Sequence, residues 1–528
     1  MKQQRRTFIK QVGYSTLGFG LMPFLQHCQS GANISSGRVL ERATPASQGV
    51  SPQSIIQFLK AAKKSNLEWH SFMLLRHGKV IAEAYWSPFG PDFKHTLYSL
   101  SKSFTSTAVG FAIEEGFISL EDKVVSFFPD QMPSDPSAFL QEMDIRDLLT
   151  MNTGHTTDSF NAIRSNYEED WVSTFLAYPV EKEPGSSFLY DTGATFMLSA
   201  ILQKKTGKTV EEYLRPRLFA PLGIEDYDWQ KSPEGYNTGG FGLRLSTESL
   251  ARFGQLYLQK GKWKGEQLVP ESWVTEATKK QTDSNVEDSE WSQGYGYQFW
   301  RCKANGVYRG DGAYGQFCIV MPEQDAVLIA TSESKNMVTS MQVLFDNLLP
   351  GFSDEAIAKD KKQASQLEEM MAGLKVPVPK AGIDSPIASY VESKIFQIEP
   401  NEYGVKRLRF HFTPNQCEWT WETDDQTVSL TAGLQRWYLN EESIPNLFPV
   451  FFRTDIPSKV AATATWANSN VLQINLKFVE AIHGDQIAFR FNHDKLIIKM
   501  TDSVTLQNKG GEQGSAQRIL QGVMLTET

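Results

Sequence analysis

The sequence predicts an α+β fold, in which an antiparallel sheet is flanked by helices and interrupted by a large helical insertion, followed by a smaller all-β domain. Two pairs of short apolar runs, each joined by a turn, predict β-hairpins: residues 72–75 with 80–86, and residues 317–321 with 326–332. Helical patterns dominate from residue 99 to about residue 209. Strands on both sides of a helical stretch fit one sheet built from both ends of a domain.

The first 28 residues are predicted to be an export signal rather than part of a domain. Gln4-Arg5-Arg6-Thr7-Phe8-Ile9-Lys10 resembles the twin-arginine signal, and the apolar run after it is too short for a comfortable membrane span. Leu25-Gln26-His27-Cys28 resembles a lipoprotein cleavage site, which would make Cys28 a lipid anchor, although His27 is bulkier than the usual residue there. We therefore expect an exported protein of the periplasm or cell envelope, whose one membrane attachment, if Cys28 is acylated, is that lipid anchor.

The first domain is expected to span residues 39–350. Ser51-Pro52 has the residues of a helix start, a capping serine followed by proline at the first helical position. The first hairpin comes next, and its turn is His77-Gly78-Lys79. These elements supply the first helix and the first two strands of the predicted domain.

The helix after this hairpin carries the first catalytic candidates. Ser99 and Lys102 are three residues apart, so on a helix their side chains share one face within hydrogen-bonding reach. The residues that follow are apolar around much of the helix, which predicts that it is buried. Burial lowers the pKa of a lysine, so that it can act as a base, and the helix dipole favours a serine oxyanion at the first turn. The pair also fits a core serine with a lysine nearby by chance.

Tyr190 and Thr192 form the second candidate segment, directly before a helix predicted from about residue 194 to about residue 205. A tyrosine beside a cationic lysine ionises more readily, and its phenolate would accept the proton of Ser99. Taken alone, Tyr190 also fits a core or rim aromatic.

A glycine-rich segment, Arg309-Gly310-Asp311-Gly312-Ala313-Tyr314-Gly315-Gln316, leads into the strand at residue 317. Its glycines allow another backbone to approach closely. We expect the backbone N–H groups of Ser99 and Gln316, the latter on an edge strand, to form an oxyanion hole. Asp311, Gly312 and Gly315 would then lie beside the substrate. The alternative is an ordinary glycine-rich turn.

The remainder of the chain predicts a linker and a separate β domain. Residues 351–384 combine a charged helical stretch with Lys375-Val376-Pro377-Val378-Pro379, a stiff segment. Beyond residue 385, apolar and polar residues alternate, as at Leu472, Ile474, Leu476 and Phe478. We expect an all-β barrel or sandwich over residues 385–528.

Composition excludes several classes of function. The chain of 528 residues carries a net charge of −9, which argues against nucleic-acid binding and against attraction to an anionic membrane surface. Four scattered cysteines and eight histidines without a His-x-x-x-His pair provide neither a disulfide scaffold nor a zinc motif. We expect no metal, no cofactor and no partner beyond a small-molecule substrate; the oligomeric state is not predicted.

Taken in order, Ser99-x-x-Lys102, Tyr190-x-Thr192 and the glycine-rich turn resemble the motifs of the serine β-lactamase and penicillin-binding superfamily. The sequence is most similar to class C β-lactamases, family VIII carboxylesterases and 6-aminohexanoate-dimer hydrolases, over roughly residues 39–349. The resemblance implies a β-lactamase/transpeptidase-like hydrolase domain. It also implies the roles of nucleophile, lysine and tyrosine for Ser99, Lys102 and Tyr190.

Two positions depart from the family's motifs. Thr192 stands where the family usually has Asn, and a hydroxyl cannot offer the donor–acceptor pair of an amide. Asp311-Gly312-Ala313 stands where a Lys or His usually helps bind a substrate carboxylate. An acidic residue there would repel such a carboxylate, which argues against β-lactam and D-Ala-D-Ala substrates.

We therefore expect a serine hydrolase that cleaves a small ester or amide through an acyl-enzyme on Ser99. Lys102 and Tyr190 would share the general-base and general-acid work. Two alternatives remain: a DD-peptidase or β-lactamase, and a catalytically degenerate binding protein of the cell envelope.

Overall fold

The structure is a computed structural model, and it describes residues 39–284, 286–379, 382, 384–444, 458–507 and 518–525. The predicted export signal, including Cys28, lies outside these residues. Within the described residues, no helix combines the length and apolar character needed to cross a bilayer.

An antiparallel sheet of six strands forms the centre of the first domain. The first domain has eleven described strands, six of which form this sheet. They are β1 (Glu68–Arg76), β2 (Lys79–Tyr85), β3 (His95–Thr96), β4 (Asp228–Trp229), β5 (Leu243–Leu245), β6 (Lys262–Trp263), β7 (Glu266–Gln267), β8 (Trp300–Arg301), β9 (Tyr308–Gly312), β10 (Gln316–Met321) and β11 (Ala326–Glu333). The strand order is β2–β1–β11–β10–β9–β8, so the first hairpin lies beside the later strands. The prediction of one sheet built from both ends of the domain is therefore confirmed.

Helices cover both faces of this sheet. They are α1 (Pro52–Lys64), α2 (Ser101–Glu114), α3 (Ala138–Glu142), α4 (Ile145–Thr150), α5 (Phe160–Ser165), α6 (Trp171–Ala177), α7 (Thr192–Thr206), α8 (Val210–Leu214), α9 (Thr247–Leu258), α10 (Glu271–Thr278) and α11 (Met337–Leu348). Successive side chains of a strand point to opposite faces, so Phe317 and Ile319 enter one hydrophobic core while Cys318 and Val320 enter the other. The sheet is thus buried between two helical layers.

Helix α2 lies deep in the larger of the two cores. Its residues from Ser101 to Ala112 are buried almost all round, and Phe104 stacks on Phe253 of α9. Polar residues on α2 are hydrogen-bonded to the surrounding backbone: Thr105 donates to Gly239 and Ser106 donates to Tyr297. A helix held so tightly gives the residues at its N-terminal end a fixed position.

A β barrel forms the C-terminal part of the chain. After α12 (Lys361–Ala372) and α13 (Pro386–Val391) come β12 (Ile395–Ile398), β13 (Arg407–Thr413), β14 (Gln416–Glu422), β15 (Thr427–Leu434), β16 (Tyr438–Ile444), β17 (Ser458–Asn468), β18 (Val471–Phe478), β19 (Gly484–Asn492), β20 (Lys495–Asp502), α14 (Ser503–Gln507) and β21 (Arg518–Met524). Strand β15 also pairs with β17, which closes the sheet. The predicted all-β domain is confirmed, and of its two predicted forms the structure is a barrel.

Candidate active site

Ser99 lies on a tight turn directly before α2. The turn is a single 3₁₀ turn, Tyr98–Leu100, rather than the first turn of the α-helix itself. Tyr98 has a φ of 47°, a left-handed conformation that an aromatic residue rarely adopts. Ser99 is partly exposed, while its neighbours Tyr98 and Leu100 are buried. The turn therefore presents the serine hydroxyl at the surface of a rigid core.

Lys102 is buried directly beneath this serine. Its Nζ lies 3.1 Å from Ser99 Oγ, 2.9 Å from the carbonyl oxygen of Gly240 and 3.4 Å from Thr192 Oγ1. Burial lowers the pKa of Lys102 to about 8, although nearby carboxylates oppose this change. Both the predicted proximity of Ser99 and Lys102 and the lowered pKa are present in the structure.

Tyr190 completes a cluster with Ser99 and Lys102. Lys102 Nζ lies 5.0 Å from the centre of the Tyr190 ring, and the ring stacks on Trp300 at 5.4 Å. Burial raises the pKa of Tyr190 above its usual value, and Asp311 raises it further, while a hydrogen bond with Ser99 opposes them. Contrary to the expectation that Lys102 makes Tyr190 ionise readily, the phenol is therefore held in its protonated form.

Thr192 is the first residue of α7, and the carboxylates around it fix its position. Asp191 caps the helix by accepting the N–H of Gly193, and it also accepts a bond of 2.7 Å from His155 Nδ1. Asp158 accepts the N–H of Thr192 at 3.0 Å. Burial raises the pKa of Asp158 to about 6, and Asp191 adds to this rise. Thr192 replaces the family's Asn as an acceptor for Lys102, but it has no amide donor.

The glycine-rich segment packs against the serine turn, as predicted. A Cβ at Gly312 would lie 2.0 Å from the carbonyl oxygen of Leu97, and a Cβ at Gly310 would lie 2.6 Å from Ser103 Oγ. Only glycine therefore allows β9 to approach this closely. Gly315, with a φ of 88°, turns the chain into β10 and packs against Ser332.

The prediction that Gln316 lies on an edge strand is wrong. Strand β10 runs between β9 and β11, and Gln316 is fully buried in register with Gly312. Its side-chain amide donates to the carbonyl oxygens of Ala313 and Ser332. The strand with a free edge is β9, because β8 pairs only with its residues Tyr308 and Arg309 among the described strands.

Asp311 is not a bare negative charge in the cleft. Its Oδ2 accepts bonds from Arg309 Nε at 2.9 Å and from Trp291 Nε1 at 2.8 Å. Both members of the Arg309–Asp311 pair are buried, and Arg309 lies over the rings of Trp291 and Trp300. The repulsion of a substrate carboxylate that the sequence predicted is therefore largely cancelled by Arg309.

Three residues of the site are not among those that the sequence predicts: Gly240, Asp158 and Arg309. Gly240 contributes only a carbonyl oxygen, which no side-chain pattern can reveal. Asp158 is an isolated acid in a polar segment, so its sequence context gave no signal. Arg309 could have been found, because residues two apart on a strand lie on the same face and Asp311 follows it at that spacing.

Among the described residues, one group has the composition of a metal site and lies outside the serine cluster. Ligand atoms of Glu68, His70 and Glu333 lie within 4.8 Å of one another. However, Lys477 Nζ lies 2.5 Å from Glu68 and 3.0 Å from Glu333, so an ammonium group already pairs with both carboxylates. The group is therefore an ion-pair cluster.

Comparison with known proteins places this site in a family. The family model for β-lactamase matches residues 68–349, which is more than half of the chain. The 6-aminohexanoate-dimer hydrolase of Paenarthrobacter ureafaciens is 28% identical over 282 residues, covering 50% of this chain and 72% of that protein. The lovastatin esterase of Penicillium rubens is 28% identical over 154 residues, covering 25% of this chain and 38% of that protein.

One solved structure aligns with most of this chain. The octameric penicillin-binding protein homologue from Pyrococcus abyssi superimposes with a TM-score of 0.47 and 15% identity, over 89% of this chain and 99% of that one. The family model, with its extent over the sheet, the serine turn and the glycine-rich strand, establishes the relationship. The chain belongs to the β-lactamase family and is a serine hydrolase.

Proposed function

We propose that the protein hydrolyses a small ester or amide through an acyl-enzyme on Ser99. The observation that carries this proposal is the contact between Ser99 Oγ and Lys102 Nζ, 3.1 Å long, in which the lysine is buried and its pKa lies near 8. A serine needs such a base, because a free hydroxyl is a weak nucleophile at neutral pH.

The three acceptors around Lys102 orient its lone pair once it loses a proton. A neutral amine keeps two N–H donors and gains one acceptor site. The two donors remain on Gly240 O and Thr192 Oγ1, so the lone pair faces the Ser99 hydroxyl. Ser99 Oγ then attacks the carbonyl carbon while its proton moves to Lys102 Nζ.

Tyr190 acts in this proposal as a neutral phenol that passes a proton to the leaving group. As the bond from the carbonyl carbon breaks, the phenol protonates the departing alcohol or amine and is reprotonated from Lys102. Water then attacks the acyl-enzyme, giving one proton to the same pair, and Ser99 Oγ regains its proton as the acid leaves. The raised pKa of Tyr190 suits a donor rather than a base.

The oxyanion would be held by the N–H groups of Ser99 and Ala313. Ala313 is an exposed turn residue that directly follows Gly312, whose backbone lies against Leu97 beside the serine turn. We place the second donor here rather than at Gln316, because β9 has the free edge. Donors fixed by a packed turn stabilise developing charge without reorganisation.

The names of two relatives support the substrate class. One is a 6-aminohexanoate-dimer hydrolase and the other is an esterase, so ester and amide carbonyls are both within the range of related proteins. We infer a small acyl substrate of this kind for Ser99.

The test is intact mass of the purified protein after reaction with a fluorophosphonate. We expect one adduct on the wild type, none on Ser99→Ala, and one on Ser126→Ala, which removes an exposed serine outside the cluster. Hydrolysis of p-nitrophenyl acetate should be lost in parallel. Full hydrolysis by folded Ser99→Ala would overturn the proposal, and a folded wild type without adduct or turnover would favour a binding protein.

A DD-peptidase or β-lactamase is the second candidate function. The observation in its favour is the Arg309–Asp311 ion pair, which weakens the electrostatic objection to a substrate with a carboxylate. Nitrocefin turnover, or stable labelling by a fluorescent penicillin at Ser99, would favour this activity over an esterase.

A further inference from the structure

The C-terminal barrel binds the first domain at the end of β11, close to the serine turn. Glu333, the last residue of β11, is fully buried and accepts bonds from three residues of the C-terminal domain. These are Lys477 at 3.0 Å, His483 Nδ1 at 2.8 Å, and the hydroxyl of Ser503. Lys477 also reaches Glu68 on β1. The barrel is therefore attached through buried charges rather than through a flexible tether alone.

His483 continues this network to the residue before the candidate nucleophile. Its Nε2 lies 2.7 Å from the hydroxyl of Tyr98. Because the Glu333 carboxylate can only accept, Nδ1 of His483 carries a hydrogen, and in the neutral ring Nε2 accepts the Tyr98 hydroxyl. One imidazole thus joins Glu333 to the turn that presents Ser99.

The same imidazole also contacts the opposite wall of the site. Its ring meets Tyr314 edge-on, with centroids 4.6 Å apart at 85°, and Tyr98 and Tyr314 lie 5.7 Å apart. Tyr314 follows Ala313 in the glycine-rich turn. Tyr98 and Tyr314 both have a positive φ, 47° and 64°, a conformation that is unfavourable for an aromatic residue. Such conformations persist only where the surroundings hold them.

We propose that His483 is a positioning residue of the active site, through which the C-terminal barrel holds the serine turn at Tyr98 and the glycine-rich turn at Tyr314. This inference rests on the proposed function, since it takes Ser99 as the nucleophile. Its consequence is that the barrel is part of the catalytic unit. Displacement of reacting groups by about 1 Å can lower a rate about 100-fold, so loss of this support should be visible in kcat.

The experiment compares His483→Phe, Tyr98→Phe and the double variant in the full chain. We expect each single variant to lower kcat for p-nitrophenyl acetate, and the rate of fluorophosphonate labelling, by about 10- to 100-fold, with KM changed less than about threefold. The double variant should be no slower than the slower single variant, because both substitutions remove the same contact. His483→Gln, which keeps a donor and an acceptor, should recover part of the loss.

His411→Phe is the matched control, since His411 is an exposed barrel histidine that bonds Glu392 instead. It should retain wild-type kcat. Hydrogen exchange provides a readout that does not depend on catalysis: peptides covering residues 96–102 and 312–316 should exchange faster in His483→Phe but not in His411→Phe. Wild-type kcat in folded His483→Phe, or unchanged exchange, overturns the proposal. If the wild-type protein is never labelled at Ser99 by the fluorophosphonate, the proposed function is refuted instead. The hydrogen-exchange measurement then still shows whether His483 holds the two turns.

Discussion

The ammonium group of Lys102 is buried away from water, and its charge therefore changes with pH near neutrality. Burial lowers the pKa of Lys102 to about 8, and Asp158, Asp191 and Asp311 limit the fall. Below this pH the ammonium has no lone pair for the proton of Ser99. We therefore expect kcat/KM for a neutral ester to rise about tenfold per pH unit below pH 8 and to level off above it.

Rates of p-nitrophenyl acetate hydrolysis between pH 6 and pH 10, corrected for spontaneous hydrolysis, measure this dependence. Lys102→Arg is the control, because an arginine stays protonated and should be inactive throughout the range. A flat profile in the wild type would exclude Lys102 as the base.

The residues at which prediction failed show which physical information a sequence lacks. The structure brings Ser99, Lys102 and Tyr190 together, as helical spacing and motif order predict. Gln316 was misplaced because strand order within a sheet depends on contacts far apart in the chain, here between β10 and β11. The expected repulsion by Asp311 takes no account of Arg309, although residues two apart on a strand lie on the same face and these two form an ion pair. The pKa of Tyr190 depends on burial, which its local sequence does not reveal.

At the scale of elements, the packing of α2 fixes the position of the serine turn. Gly110 lies in the middle of this helix, where an alanine normally adds about 1 kcal/mol of stability. Here a Cβ at Gly110 would lie 2.5 Å from Nε1 of the Trp273 ring on α10. We therefore expect Gly110→Ala to destabilise the protein by about 1–3 kcal/mol, because overpacking outweighs helix propensity.

Urea unfolding followed by tryptophan fluorescence measures this effect. Gly373→Ala is the matched control, because Gly373 is exposed at the end of α12, has a negative φ, and meets no atom closer than 3.4 Å. It should leave the urea midpoint unchanged. A urea midpoint for Gly110→Ala equal to or above that of the wild type would show that the Trp273 side chain can move to accommodate the new Cβ without loss of stability.

The sequence largely predicts which helices and strands form, but it does not predict the residues at which they begin and end. Apolar runs and turn residues predict the hairpins, because strands buried on both faces are mostly apolar. The sequence predicts that Ser99 lies in the first turn of α2, whereas the structure has a separate 3₁₀ turn at Tyr98–Leu100, because the sequence carries no local signal for the positive φ of Tyr98.

At the scale of the whole molecule, two domains share one buried network. The barrel was predicted from alternation, but its attachment was not, because Glu333 and His483 are 150 residues apart in the chain. Alternation indicates which face of a strand is buried and not what covers it. The contact therefore required the three-dimensional structure.

Lys477→Met tests how far this network stabilises the molecule. Burial would raise the pKa of Glu333, but Lys477 and His483 hold it at about 2. The ion pair therefore stabilises the fold fully above the unfolded pKa of 4.5 and loses its effect as pH falls towards 2. At pH 7 the variant leaves the buried carboxylate of Glu333 and the partly buried carboxylate of Glu68 without their ammonium partner, which should cost about 3–5 kcal/mol, and the deficit should shrink at pH 3.5. Lys406→Met, at an exposed pair with Asp424, should cost less than about 1 kcal/mol. Urea midpoints at both pH values measure the difference, and equal midpoints for both variants would show that the network contributes little.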